Sequence, residues 1–233
     1  MNHSDFWDYF RKGALANLPV AASVAAYGSV LGVLAAQKQI SWPVLLMMNL
    51  SIFAGSAQFV MVDMWVAPLP IIEIILAATA INLRYLLIGA SLNPVFQGSN
   101  LVQKSVVMHF VADENWAVTM AAHRRGAASP GFLLGGGICL GMVWCCGTLA
   151  GHQLGAVIND PRMFAMDFAF LAVFTALAVS LWRGKSDLLP WLTAAAVSIG
   201  ADQLLPGKWY IAIGGVSGAL VPALRSWYRR EGP

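Results

Sequence analysis

Charge is scarce in this chain. Of 233 residues, 14 are Lys or Arg and 11 are Asp or Glu, so 11% are charged while 58% are hydrophobic. A soluble domain carries roughly 25% charged residues, and so few polar groups cannot coat the surface left after one core is buried. Water is excluded as the solvent, and a lipid bilayer takes its place. Cysteine is scarce too: Cys139, Cys145 and Cys146 lie close together inside one apolar run, which excludes a disulfide scaffold and makes them small buried hydrophobes. Massed basic charge is missing. The net charge is +3, but its Lys and Arg are scattered, which leaves nucleic-acid binding out. Nor is there a His-Glu-x-x-His zinc site, any set of residues at metal-ligand spacing, a Walker A loop or a K⁺-filter pattern. No cofactor is expected, and any transport is not driven by ATP hydrolysis in this chain.

Long apolar runs are what the sequence does have. A spanning helix needs about 20 mostly apolar residues, and runs of that kind occur at 13–37, 42–62, 70–92, 131–157, 163–182, 188–205 and 209–226. Arg11-Lys12 ahead of the first run resembles the start of a signal peptide, but Pro19 interrupts that run and many spans follow, so an uncleaved first helix is expected. The segment 105–122 is apolar enough to enter the membrane although Asp113-Glu114-Asn115 lies at its centre. The expected fold is an all-α, polytopic membrane bundle of seven or eight helices.

Basic residues favour eight. If 105–122 crosses, Arg11, Lys12, Arg124, Arg125, Arg183, Lys185, Arg225, Arg229 and Arg230 share the side of both termini, and only Lys38, Lys104, Arg162 and Lys208 lie opposite. The positive-inside rule then makes both ends cytoplasmic. A re-entrant hairpin over 105–122 is the alternative. Small residues four apart, Gly28/Gly32, Gly137/Gly141, Gly147/Gly151/Gly155 and Gly214/Gly218, mark faces where helices pack closely in lipid. A faint echo between 54–59 and 199–204 hints at an inverted repeat.

An ionisable group at the centre of a membrane helix costs about 3 kcal/mol, so each one calls for a reason. Arg84, in Asn82-Leu83-Arg84-Tyr85, lies too deep for an easy reach to the interface and needs a carboxylate partner or a ligand carboxylate. Asp113 and Glu114 cannot both be ionised cheaply in low dielectric; one could pair with Arg84 and the other exchange a proton. On a continuous helix His109 and Asp113 would share a face; alternatively Asp113 caps a short helix beside a wet vestibule. Gly55-Ser56, with Gln58 nearby, can break the second span and offer free N–H groups to an anion; equally, they can form a packing notch. Asp167 is either functional or an interfacial helix-start carboxylate. Gly215-Val216-Ser217-Gly218 matches a rhomboid-type serine-protease motif, but every histidine precedes Ser217, whereas rhomboids supply the base from a later helix.

Five strings in order, Phe53–Phe59, Asn82–Leu87, Asp113-Glu114, Trp144 to Gly155 with Gly147-Thr148 and Gly151 between, and Asp167–Phe170, resemble the AzlC family over about 15–183. That family comprises the large subunits of bacterial branched-chain amino-acid exporters. The resemblance implies a secondary transporter of the bacterial inner membrane, driven by an ion gradient and exporting valine or similar apolar amino acids, with a small AzlD-type membrane subunit as partner. Two departures stand out: the usual Thr-Asp-Glu reads Ala112-Asp113-Glu114, and Asn115-Trp116 is bulkier than the pattern. The resulting expectation is a proton-coupled exporter. Phe53, Gly55, Ser56, Gln58, Phe59, Asn82 and Arg84 would meet the substrate, and His109, Asp113, Glu114 and Asp167 would handle the proton. An intramembrane enzyme using Ser217, or a structural subunit without transport of its own, is the rival.

Overall fold

The computed structural model describes residues 3–157, 175, 179, 182, 184–205 and 209–231. Among these, regular structure is entirely helical: α1 (His3–Gln37), α2 (Trp42–Ser51), α3 (Gly55–Asp63), α4 (Ile71–Asn82), α5 (Arg84–Leu92), α6 (Leu101–His109), α7 (Asp113–His123), α8 (Pro130–Val157), α9 (Leu188–Leu204) and α10 (Trp209–Glu231), with a 3₁₀ turn, Lys185–Asp187, leading into α9. Asp167 and, apart from residues 175, 179 and 182, the expected span at 163–182 lie outside the described residues. Helical runs at Asp5–Gln37, Ile71–Ser91 and Pro130–Ala156 are long and apolar enough to cross a bilayer, and shorter apolar helices accompany them. A chain in lipid must satisfy its backbone polar groups internally, which helices do. This is a helical membrane protein.

The helices fall into two units. The first is built from α1 to α3 and α5 to α8, the second from α4, α9 and α10. In the first, α1 and α8 pack along most of their length because small residues line the seam. A Cβ placed on Gly32 would run into the carbonyl oxygen of Thr148, and one on Gly151 into that of Ser29. Such contacts leave room for glycine alone and bring the backbones together. Pro19 does not end α1, which continues through it to Gln37.

The seam also fixes direction. Gly135 meets Phe10, Gly147 meets Ala25, Gly151 meets Ser29 and Gly155 meets Val33, so numbers rise together and the two helices are parallel. For α8 to run the same way as α1, the chain between them must cross the bilayer an odd number of times. That stretch holds three apolar segments, 42–63, 71–92 and 101–123. Three crossings, 101–123 among them, satisfy that count, whereas a hairpin over 101–123 beside two crossings does not. In the second unit the order reverses: Gly214 meets Ser198 and Gly218 meets Pro190, so α9 and α10 are antiparallel. Residues 199–204 run unbroken within α9, whereas 54–59 follow an interruption, so the two echoing strings differ in conformation.

Replacing Gly32 with Leu should destabilise the seam by about 3 kcal/mol or more, whereas Gly200→Ala, where a Cβ meets nothing within 4 Å, should be neutral or slightly stabilising. Melting of the two purified variants in detergent, followed by tryptophan fluorescence, checks the contrast.

Candidate functional site

Two crossings of the first unit are interrupted, and the interruptions make the site. The earlier one separates α2 from α3 at residues 52–54. Ending α2 inside the membrane strands its last carbonyls, and Gln58 collects two of them. Its Nε2 donates to the Met48 carbonyl at 3.1 Å and to the Ile52 carbonyl at 2.7 Å, while its Oε1 accepts the Trp144 indole N–H at 2.8 Å. The same indole N–H reaches Asn49 Oδ1 at 3.2 Å, and Asn49 Nδ2 donates to Thr148 Oγ1 at 2.7 Å. Gln58 and Thr148 are fully buried and Asn49 nearly so. Gly55 is required where α3 restarts, because a Cβ there would stand 2.9 Å from the Trp144 ring.

The second interruption, residues 110–112, separates α6 from α7. Here one buried asparagine does the work of Gln58. Asn115 Oδ1 accepts the Ala112 N–H at 2.7 Å, and its Nδ2 donates to the carbonyls of Phe110 at 2.9 Å and Leu133 at 3.3 Å. The expectation that His109 and Asp113 share a helix face is therefore corrected: His109 closes α6 and Asp113 opens α7, with non-helical backbone between. A side-chain amide that bonds local backbone competes directly with the helical ladder, and here it wins. His109 turns instead to the Leu50 carbonyl, with Nε2 at 3.0 Å.

Both interruptions rest on α8. The Phe53 ring lies over Gly141 and Phe110 over Gly137, one turn apart, and the two rings meet edge to face at 5.8 Å. Glycine at both α8 positions lets non-helical backbone come close enough for Asn115 to reach Leu133.

Arg84, the first residue of α5, joins the two. Its Nη1 binds Asp113 Oδ2 at 2.5 Å and its Nη2 donates to Ser56 Oγ at 2.8 Å, while its Nε is buried without a partner. Next to it, the Tyr85 hydroxyl donates to the Phe53 carbonyl at 3.3 Å. The N-termini of α3 and α7 thus converge on Arg84, and each carries a partial positive charge. The pair is not sealed: the Arg84 side chain is 29% exposed and that of Asp113 38%. Glu114 is exposed as well. One guanidinium faces two carboxylates.

Of the residues singled out from sequence, Phe53, Gly55, Ser56, Gln58, Arg84, His109, Asp113 and Glu114 gather at the interruptions. Phe59 is buried against Tyr27, with ring centroids 4.7 Å apart. Asn82 closes α4 in the second unit, and Asp167 lies outside the described residues. Ser217 donates to the Gly214 carbonyl at 2.8 Å within its own helix, a local bond that implies no base. Among the described residues no group of three or more His, Cys, Asp and Glu could hold a metal. Asn49, Asn115 and Tyr27 were missed. Lone amides inside apolar runs were the available signal for the first two.

Interrupted helices around an ion pair at membrane depth are the construction of transport proteins. The chain belongs to the AzlC family, whose model, AzlC protein, matches residues 19–158. It is 21% identical over 209 residues to the branched-chain amino acid transport protein AzlC of Bacillus subtilis, covering 89% of this chain and 82% of the relative. Uncharacterized membrane proteins are also similar: one of Helicobacter pylori, 22% identical with 90% and 91% covered, and one of Archaeoglobus fulgidus, 27% identical with 94% of each covered. No solved structure matches significantly.

Gln58→Met keeps the volume and removes the amide, leaving the Met48 and Ile52 carbonyls without that donor and the Trp144 N–H with only its 3.2 Å contact to Asn49. At about 1–3 kcal/mol for each buried group left unsatisfied, the protein should melt well below wild type in a detergent thermal scan.

Proposed function

We propose that this chain is a secondary exporter of branched-chain or similar apolar amino acids, valine among them. It works across a bacterial inner membrane with both termini cytoplasmic, alongside a small AzlD-type subunit. One observation carries the reading: Arg84 is shared between Ser56 at one interruption and Asp113 at the other. Family membership and the printed name of the Bacillus subtilis relative support amino-acid transport.

The chemistry follows from charge. An amino acid presents a carboxylate and an ammonium. The carboxylate takes Arg84 bidentately, helped by Ser56 and the first N–H groups of α3, which have no acceptor within their own helix. Asp113, released from Arg84, then stands with Glu114 against the ammonium. In the empty state Arg84 neutralises Asp113 and a proton neutralises Glu114. Ammonium and proton therefore compete for one carboxylate. Solute entering from the cytoplasm expels the proton there, and solute leaving on the far side lets a proton return. That exclusion makes the cycle an exchange driven by the inward proton gradient. Phe53 lies beside the site and offers an apolar face to the solute side chain, with Phe59 behind. Gln58 and His109 hold the α2 end of the break in shape. Asn82 belongs in this reading with the residues that meet the substrate, and Asp167 with those that handle the proton.

The test is efflux of labelled valine, preloaded as a dipeptide, from cells carrying the chain and its small subunit. Arg84→Ala should abolish efflux, and Glu114→Gln should flatten its dependence on external pH. Normal rates with unchanged pH dependence in both Asp113→Asn and Glu114→Gln would falsify the proton role.

A further inference from the structure

Tyr27 is the one aromatic hydroxyl at the site whose hydrogen-bonding capacity goes unused. Its oxygen is buried and has no partner, although an O–H in apolar surroundings ordinarily finds one. Its ring is held on two sides, by Phe59 at 4.7 Å and by Trp144 at 5.9 Å between centroids. Trp144 is itself tied to Gln58, and Gly28, the next residue, lies against the Trp144 backbone and ring, so α1 presents Tyr27 at a fixed place. Trp144 also lies against Gly55, next to the Ser56 whose hydroxyl Arg84 holds, so a single ring separates Tyr27 from the α3 end of the site. Tyr85, the other tyrosine beside Arg84, already donates to Phe53.

A fixed, buried, unpartnered hydroxyl one ring away from the residues that hold Arg84 suits a donor that arrives with the solute. We infer that Tyr27 is a solute-binding residue: its hydroxyl oxygen and the Glu114 carboxylate together receive the ammonium of the amino acid whose carboxylate Arg84 takes. This rests on the proposed amino-acid exchange and adds to it the residue that distinguishes an amino acid from the acid of the same skeleton that has no amine. The Tyr27 ring would serve as one wall of the site, since it continues the aromatic surface of Trp144 and Phe59.

The experiment compares L-valine with 2-oxoisovalerate, which keeps the carboxylate and carbon skeleton but has no ammonium. Full-length wild-type protein and Tyr27→Phe, which keeps the ring and its packing, are reconstituted in lipid nanodiscs. Dissociation constants are measured for L-valine directly and for the 2-oxo acid by competition. Loss of a hydrogen bond to a charged group should weaken L-valine about tenfold, with the 2-oxo acid unchanged. An unchanged constant for L-valine overturns the inference, as does equal weakening of both ligands, which would make Tyr27 a packing residue. Arg84→Ala separates the two levels: if it still binds L-valine as wild type does, the site itself is wrong. If it fails to bind while Tyr27→Phe binds normally, only the role of Tyr27 falls.

Discussion

The bilayer allows a helix to be interrupted only where the freed backbone groups are answered from within the protein. Two crossings here are interrupted, and everything at the site depends on how those groups are met. Gln58 and Asn115 do most of it, each fully buried and each bonding through both ends of its carboxamide. Neutral amides suit the task because they donate and accept without bringing a charge to membrane depth. The glycines of α8 complete it by letting Phe53 and Phe110 sit directly on the helix. With those supports in place, the N-termini of α3 and α7 can meet at Arg84.

The two kinds of packing differ in what they permit. The seam of α1 and α8 is backbone against backbone with no slack, and a packed interface of that sort shifts as a body or not at all. The connection across the interruptions runs through the few polar contacts that Arg84 makes. Those contacts are partly open, and a ligand carboxylate can replace them one for one. For the proposed exchange, a rigid pair of helices beside two short half-helices is the division of labour that alternating access needs, with the movement placed where the charge is.

Much of this was legible in sequence. The apolar runs at 13–37, 42–62, 70–92, 131–157, 188–205 and 209–226 correspond to observed helices, because length and hydrophobicity are what lipid selects. Glycines four apart identified the seam, and an arginine in an apolar run marked the ion pair between the interruptions. The partner of Arg84 was narrowed to two adjacent carboxylates, between which only three-dimensional placement could choose Asp113. The second interruption was not legible. Periodicity carried a helix straight through 110–112, since nothing in Phe110-Val111-Ala112 forbids one. The decision belongs to Asn115, whose side chain takes the backbone of residues three and five positions earlier. Tyr27 gave no signal either, because a tyrosine in an apolar run reads as core until its hydroxyl is found without a partner.

The central claim is that Arg84 exchanges Asp113 for the solute. The direct measurement is an experimental structure of the protein with its small subunit, in lipid at saturating L-valine. The account predicts the valine carboxylate on the guanidinium and the contact of Arg84 Nη1 with Asp113 Oδ2, 2.5 Å in the empty protein, opened beyond hydrogen-bonding distance. Valine bound elsewhere with that contact intact would contradict it.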